Sequence, residues 1–202
     1  MSIDGFLQSP LVVAGGDLWR QATQAAFLNA VAQGTLPAEA FQRWLVQDYL
    51  FAQGMARFQC IMTARAPRPA FTPLIGGLGA LEAELTWFEH HAERLGLDLA
   101  ARPHRTCRRY VDFLIAAAYG EPFAVLTAIL YGVEVSYLAA WSALRPTGPY
   151  AELITRGSNP KFAEYVRSLL ALAREHPHAG QQEAFNEVLR HEADFWQMTW
   201  EG

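Results

Sequence analysis

The sequence predicts an all-α protein folded as a single helical bundle, and three observations carry that expectation. Apolar residues recur at helical spacing through most segments, prolines fall at intervals where helices start, and no stretch alternates with period two long enough for a sheet. The 202 residues suit one domain, 1–202, with a core large enough to enclose a site. At 51% hydrophobic, 12% aromatic and 18% charged, the composition is that of a compact globular chain and excludes a disordered one.

The stretches TLPAEAF, FTPLIGG, GEPFAVL, TGPYAEL and SNPKFAE each place a proline near a first helical turn, where its missing N–H costs nothing. They divide the chain into helices at roughly 16–33, 37–65, 73–95, 105–119, 122–144, 149–156, 160–176 and 180–200. The first, around DLWRQATQAAFLNAVAQ, reads as one continuous helix. In the second, Phe41, Trp44, Leu45, Asp48, Phe51, Ala52 and Met55 form one face at i, i+3, i+4, i+7 spacing. The third carries a seam of Leu74, Leu78, Leu81, Leu85, Phe88, Ala92 and Leu95, as in a helix lying nearly along its neighbours. Tyr110, Leu114 and Ala117 mark the inward side of the fourth. The fifth, FAVLTAILYGVEVSYLAAW, is apolar almost all round and therefore belongs at the centre. The last presents Phe185, Val188, Leu189, Glu192, Phe195 and Trp196 on one stripe.

A net charge of −4 with no basic stripe argues against a nucleic-acid partner. The longest apolar run, about 123–133, falls short of the ~20 residues that span a bilayer, and the N-terminus lacks the basic region of a signal peptide. Two cysteines make no disulfide framework. A soluble, cytoplasmic protein without membrane association is the expectation. No inward pair of Glu-x-x-His motifs suggests a metal site, and the first helix has no histidine to ligate haem, so neither metal nor cofactor is expected. The glycines of GGLGAL read as close helix packing. Cys60 reads as core, and Cys107, three residues before Tyr110, remains an outside candidate for thiol chemistry.

The informative feature is Asp48, a charged residue inside an apolar stripe. Glu134 stands on the stripe of Leu130, Tyr131, Tyr137, Leu138 and Trp141, and Glu192 occupies the same position in the last helix. A buried carboxylate normally pairs, accepts hydrogen bonds or takes up a proton. A tyrosine, a helix end, or Arg57, Arg108 or Arg109 would satisfy any one of them. Three on three helices point to a shared polar pocket. Phe51, Tyr110, Tyr137 and Phe195 lie on or beside these stripes, and carboxylates among aromatic faces suit a flat, nitrogen-rich heterocycle.

The stretches GTLPAEAFQRWLVQDYLF, PFAVLTAILYGVEVSYLAAW, PYAELITRGSNPKFAEYV and HEADFW together resemble the TenA/thiaminase II family, in order and spacing over nearly the whole chain. The resemblance implies a haem-oxygenase-like fold without haem, a pocket for a small-molecule pyrimidine derived from thiamine, and a homodimer or homotetramer. It assigns Asp48 to the aminopyrimidine ring, Tyr110 and Tyr137 to the pocket, Glu192 to catalysis and Phe195 to the aromatic after it. The sequence departs from the better-known members at three places. Val133 stands where they carry a nucleophilic cysteine, with Glu134 beside it; Phe51 and Gly157 stand where they carry tyrosines. The chain thus resembles the cysteine-lacking, glutamate-bearing branch. The expected activity is a thiol-independent C–N hydrolase on aminopyrimidines or their formylamino derivatives in thiamine salvage, with Glu192 and Glu134 catalytic and Asp48, Tyr110, Tyr137, Phe51 and Phe195 binding substrate. The alternatives are a non-catalytic pyrimidine-binding or regulator-like homologue, and an oxygen-activating relative of the cofactorless pyrroloquinoline quinone oxidase or di-iron type.

Overall fold

Why these residues form helices is clearest at the helix starts. In the computed structural model, which describes residues 4–202, Ser9 caps the helix that opens at Pro10 by accepting from the Val12 N–H at 3.4 Å, and Asn159 does the same for Phe162 at 2.9 Å ahead of Pro160. Among the described residues there are ten α-helices and no strand: α1 Asp4–Leu7, α2 Pro10–Thr23, α3 Ala26–Gln33, α4 Ala38–Arg65, α5 Phe71–Leu95, α6 Arg105–Gly120, α7 Phe123–Ser142, α8 Ala151–Gly157, α9 Pro160–Glu175 and α10 Gln181–Glu201. Short 3₁₀ turns, Arg68–Ala70 and Gly148–Tyr150, precede α5 and α8.

The expected first helix over 16–33 is two helices. α2 starts earlier, at the Ser9–Pro10 signal, bends at Gly16, whose positive φ of 52° suits only glycine, and ends where Thr23 turns its hydroxyl back onto the Trp19 carbonyl at 2.8 Å. Ala25, in extended conformation, opens α3 without a side-chain cap. The third expected helix differs in part, because its seam is buried only at Leu74, Phe88 and Ala92, with Leu78, Leu81 and Leu85 half-buried. In α5 only Leu74, Gly77, Phe88 and Ala92 are buried, while Leu95 is exposed. One face of α5 packs on α4, and another borders a cavity rather than a core.

α7 is the central helix, packed against α10, α9, α2, α8 and α4, with burial on nearly all sides. At 20 residues it is long and apolar enough to cross a membrane by length and composition, more than the short run read from the sequence, yet it is the core helix of this bundle. Around it α4 packs on α5 and α6, and α10 packs on α2. The aromatic rings of Phe27, Trp44, Trp141 and Trp196, from α3, α4, α7 and α10, form a closed cycle with centroids 5.4–6.2 Å apart. The cavity lies beside this cycle, since Trp196 belongs to both.

Candidate active site

The stripe on α4 that buries Trp44 and Leu45 carries Asp48, Phe51, Ala52 and Met55 onto the wall of a cavity of about 740 Å³. That volume is within the range of sites that enclose a small organic ligand. α6 contributes Tyr110, α7 contributes Val133, Glu134 and Tyr137, and α10 contributes Glu192, Phe195 and Trp196. All seven site residues expected from the sequence therefore line one space. Glu84 of α5 and Arg156 of α8, which the sequence reading did not single out, line it too and form an ion pair with each other. Thr72, Gly76, Ala80 and Lys161 are exposed wall residues, so the cavity reaches the surface between α5 and α9.

The electrostatics follow from burial. Glu192 is 6% exposed and accepts a hydrogen bond from the Tyr110 hydroxyl at 2.7 Å. Burial pushes its carboxyl up to about 7, and the Tyr110 hydrogen bond, which favours the ionised form, holds it back from rising further. Glu134 is pushed up to about 8, first by burial and then by the negative charges of Glu192 and Glu84. Burial, with Glu84 and Glu192 adding to it, also raises Asp48 well above the usual carboxylate range. The guanidinium on the wall, Arg156, is engaged by Glu84; of the arginines considered as partners, Arg109 instead bonds Asp194. A tyrosine thus satisfies Glu192, and raised proton affinity answers the burial of Asp48 and Glu134.

The cavity wall holds no thiol among the described residues. Val133 lines it. Cys107 is buried away from it, donates to the Gln47 carbonyl at 3.5 Å, and has its thiol pushed up to about 12 by burial and by Asp48. Its position three residues before Tyr110 therefore does not make it a nucleophile. Cys60, read as core, is exposed. Gly157 also has a packing reason: a Cβ there would come within 2.8 Å of the Trp141 Cβ, so the indole fills the space a side chain would need. Gly77 is similar, since Tyr165 and Gln59 occupy the place of its missing side chain, whereas Gly76 and Gly79 of the same motif have open space. Among the described residues no three His, Cys, Asp or Glu side chains are placed to hold a metal ion.

A family model described as the TENA/THI-4/PQQC family matches residues 16–202 of the chain. The chain belongs to the TENA/THI-4/PQQC family. It is 24% identical over 201 residues to a Glycine max protein named "Probable bifunctional TENA-E protein", with 90% of this chain and 88% of that one covered. It is similar to the solved structure of a TenA homologue from Pyrococcus furiosus, with a TM-score of 0.83, 27% identity and coverage of 99% of this chain and 98% of that one. A Shewanella denitrificans domain of unknown function with a heme oxygenase-like fold superimposes with a TM-score of 0.71 at 11% identity, over 100% of this chain and 93% of that one. The fold is all-α and haem-oxygenase-like.

Proposed function

We propose that this protein hydrolyses a C–N bond on a thiamine-derived aminopyrimidine, or on its formylamino derivative, without using a thiol. The observation that carries the reading is the Tyr110–Glu192 hydrogen bond in one aromatic-walled cavity with Glu134 and Asp48. The family membership and the TENA-E relative support a role in thiamine salvage.

The edge of an aminopyrimidine presents an amino donor beside a ring-nitrogen acceptor. Asp48, held toward its protonated form by burial, offers the complementary carbonyl acceptor and hydroxyl donor. Phe51, Tyr137 and Phe195 supply apolar faces for the ring. Glu192, the more readily ionised of the two glutamates and supported by Tyr110, takes a proton from water as its oxygen attacks the formyl carbon. Glu134, with the higher proton affinity, gives its proton to the amine nitrogen as the C–N bond breaks, releasing formate and the free amine. With an aminomethyl substrate, water replaces the amine at carbon and the same proton leaves on ammonia.

The test is product detection by mass spectrometry after incubation with aminomethyl- and formylaminomethyl-pyrimidines and with thiamine. Turnover that fails in Glu192→Gln and drops in Glu134→Gln is expected; full turnover in both variants would refute the mechanism. A second reading, a pyrimidine-binding protein without turnover, draws on Val133 and Gly157, which stand where the resemblance implies a cysteine and a tyrosine. Tight pyrimidine binding that is lost in Asp48→Ala, with no product over hours, would establish it.

A further inference from the structure

The hydroxyl on Glu192 depends on where the Tyr110 ring stands. Two other rings pack against that ring: Phe51, tilted, with centroids 4.6 Å apart, and His191, stacked 4.8 Å away and within 7° of parallel. Phe113 packs against His191 in turn, at 4.9 Å. His191 is 6% exposed and directly precedes Glu192 on α10, so one turn of backbone carries both the acceptor of the Tyr110 hydroxyl and the plate behind its ring.

The nitrogens of His191 do little by comparison. Its Nδ1 is buried without a partner, and its Nε2 lies 3.7 Å from Glu187 Oε1, too far for a hydrogen bond. We propose that His191 is a positioning residue, whose flat face fixes the Tyr110 ring so that its hydroxyl stays on Glu192. The proposal deepens the catalytic reading above and rests on it for its functional consequence.

The charged and titratable groups that face His191 are Glu187 and Asp194 from α10, and Arg109 and Tyr110 from α6. Burial, helped by the Arg109 charge, outweighs the two carboxylates and lowers its proton affinity, so the neutral imidazole is favoured at neutral pH. A neutral imidazole stacks on the phenol without placing a charge beside Glu192. Without the plate, Tyr110 is free to swing away, Glu192 loses the hydrogen bond that favours ionisation, and its midpoint rises toward that of Glu134. The separation between base and acid then closes.

The test follows the carboxyl signal of Glu192 by ¹³C NMR across pH in protein labelled at glutamate, assigned by its loss in Glu192→Gln. His191→Ala and Tyr110→Phe should each raise the midpoint by roughly one pH unit, the size expected for losing one hydrogen bond to a charged group. The double variant should raise it no further, and His191→Phe, which keeps a flat ring and no charge, should hold it near the wild-type value. Should His191→Ala fail to fold, His191→Leu fills the space without a plane and takes its place. A midpoint unmoved in His191→Ala or His191→Leu, or two shifts that simply add, would overturn the proposal. Because this readout needs no turnover, shifted midpoints in a protein without hydrolase activity would refute the catalytic reading and leave the positioning role standing.

Discussion

Replacing Glu134 with glutamine should stabilise the protein by an amount that grows as pH rises above 4.5 and is full above about pH 8. Its carboxyl lies at about 8 in the folded protein, against an ordinary 4.5, with burial as the main cause. Between those two values the unfolded chain has lost the proton while the folded one keeps it, so stability falls as pH rises through the window. At about 1.4 kcal/mol for each pH unit, full ionisation costs at most about 5 kcal/mol. Glu134 keeps some exposure to a cavity that reaches the surface, which brings the expected gain from Glu134→Gln to roughly 2–5 kcal/mol above pH 9. For a domain of this size that is roughly 4–20 °C in melting temperature. Melting curves by circular dichroism at pH 5 and pH 9, for wild type and variant, provide the assay. A difference that is small at pH 5 and large at pH 9 is expected; the same difference at both would mean that Glu134 is not held protonated. Glu192→Gln should act in the same direction with a smaller gain, and the gain of the double variant should fall short of the sum, because the Glu192 charge is part of what makes ionising Glu134 costly.

Four further outcomes are expected. The pH profile of kcat/KM should be a narrow bell, with an acid limb near 7 from Glu192 and an alkaline limb near 8 from Glu134, read from initial rates between pH 5.5 and 9.5. Asp48→Asn, which still offers a donor beside an acceptor, should retain more pyrimidine affinity in calorimetry than Asp48→Ala, which offers neither. Gly157→Ala should lower thermal stability by about 1–3 kcal/mol, because its new methyl would meet the Trp141 indole. Alkylation of the exposed Cys60 with iodoacetamide should leave initial rates unchanged, since that thiol does not line the cavity.

Much of the fold was legible because α4, α7 and α10 bury regular stripes, and a carboxylate in the middle of each stripe was conspicuous against its neighbours. That same contrast brought Asp48, Glu134 and Glu192 forward together. Glu84 escaped because it lies beside Leu81 and Leu85, and the leucines of α5 suggested a seam against other helices. In the structure Leu81 and Phe88 of that seam line the cavity beside Glu84, so part of its apolar pattern marks a cavity wall rather than a helix contact. His191 escaped for a different reason. It falls one residue off the stripe of α10, and only the three-dimensional approach of α6 turns that off-stripe position into a buried one against Tyr110. The break between α2 and α3 had no signal of glycine or proline at Gln24 and Ala25, whereas the earlier start of α2 did have one in Ser9–Pro10.

The central claim is hydrolysis by carboxylates in the absence of a thiol, and it is tested most directly by comparing two variants on one substrate. Initial rates on formylaminomethyl-aminopyrimidine should be near wild type in Cys60→Ser/Cys107→Ala, once circular dichroism shows that this variant is folded. They should fall by roughly 10²–10⁴-fold in Glu192→Gln, the usual loss when a general base is removed. A folded cysteine-free variant that is inactive, beside a Glu192→Gln variant that turns over normally, would contradict the account.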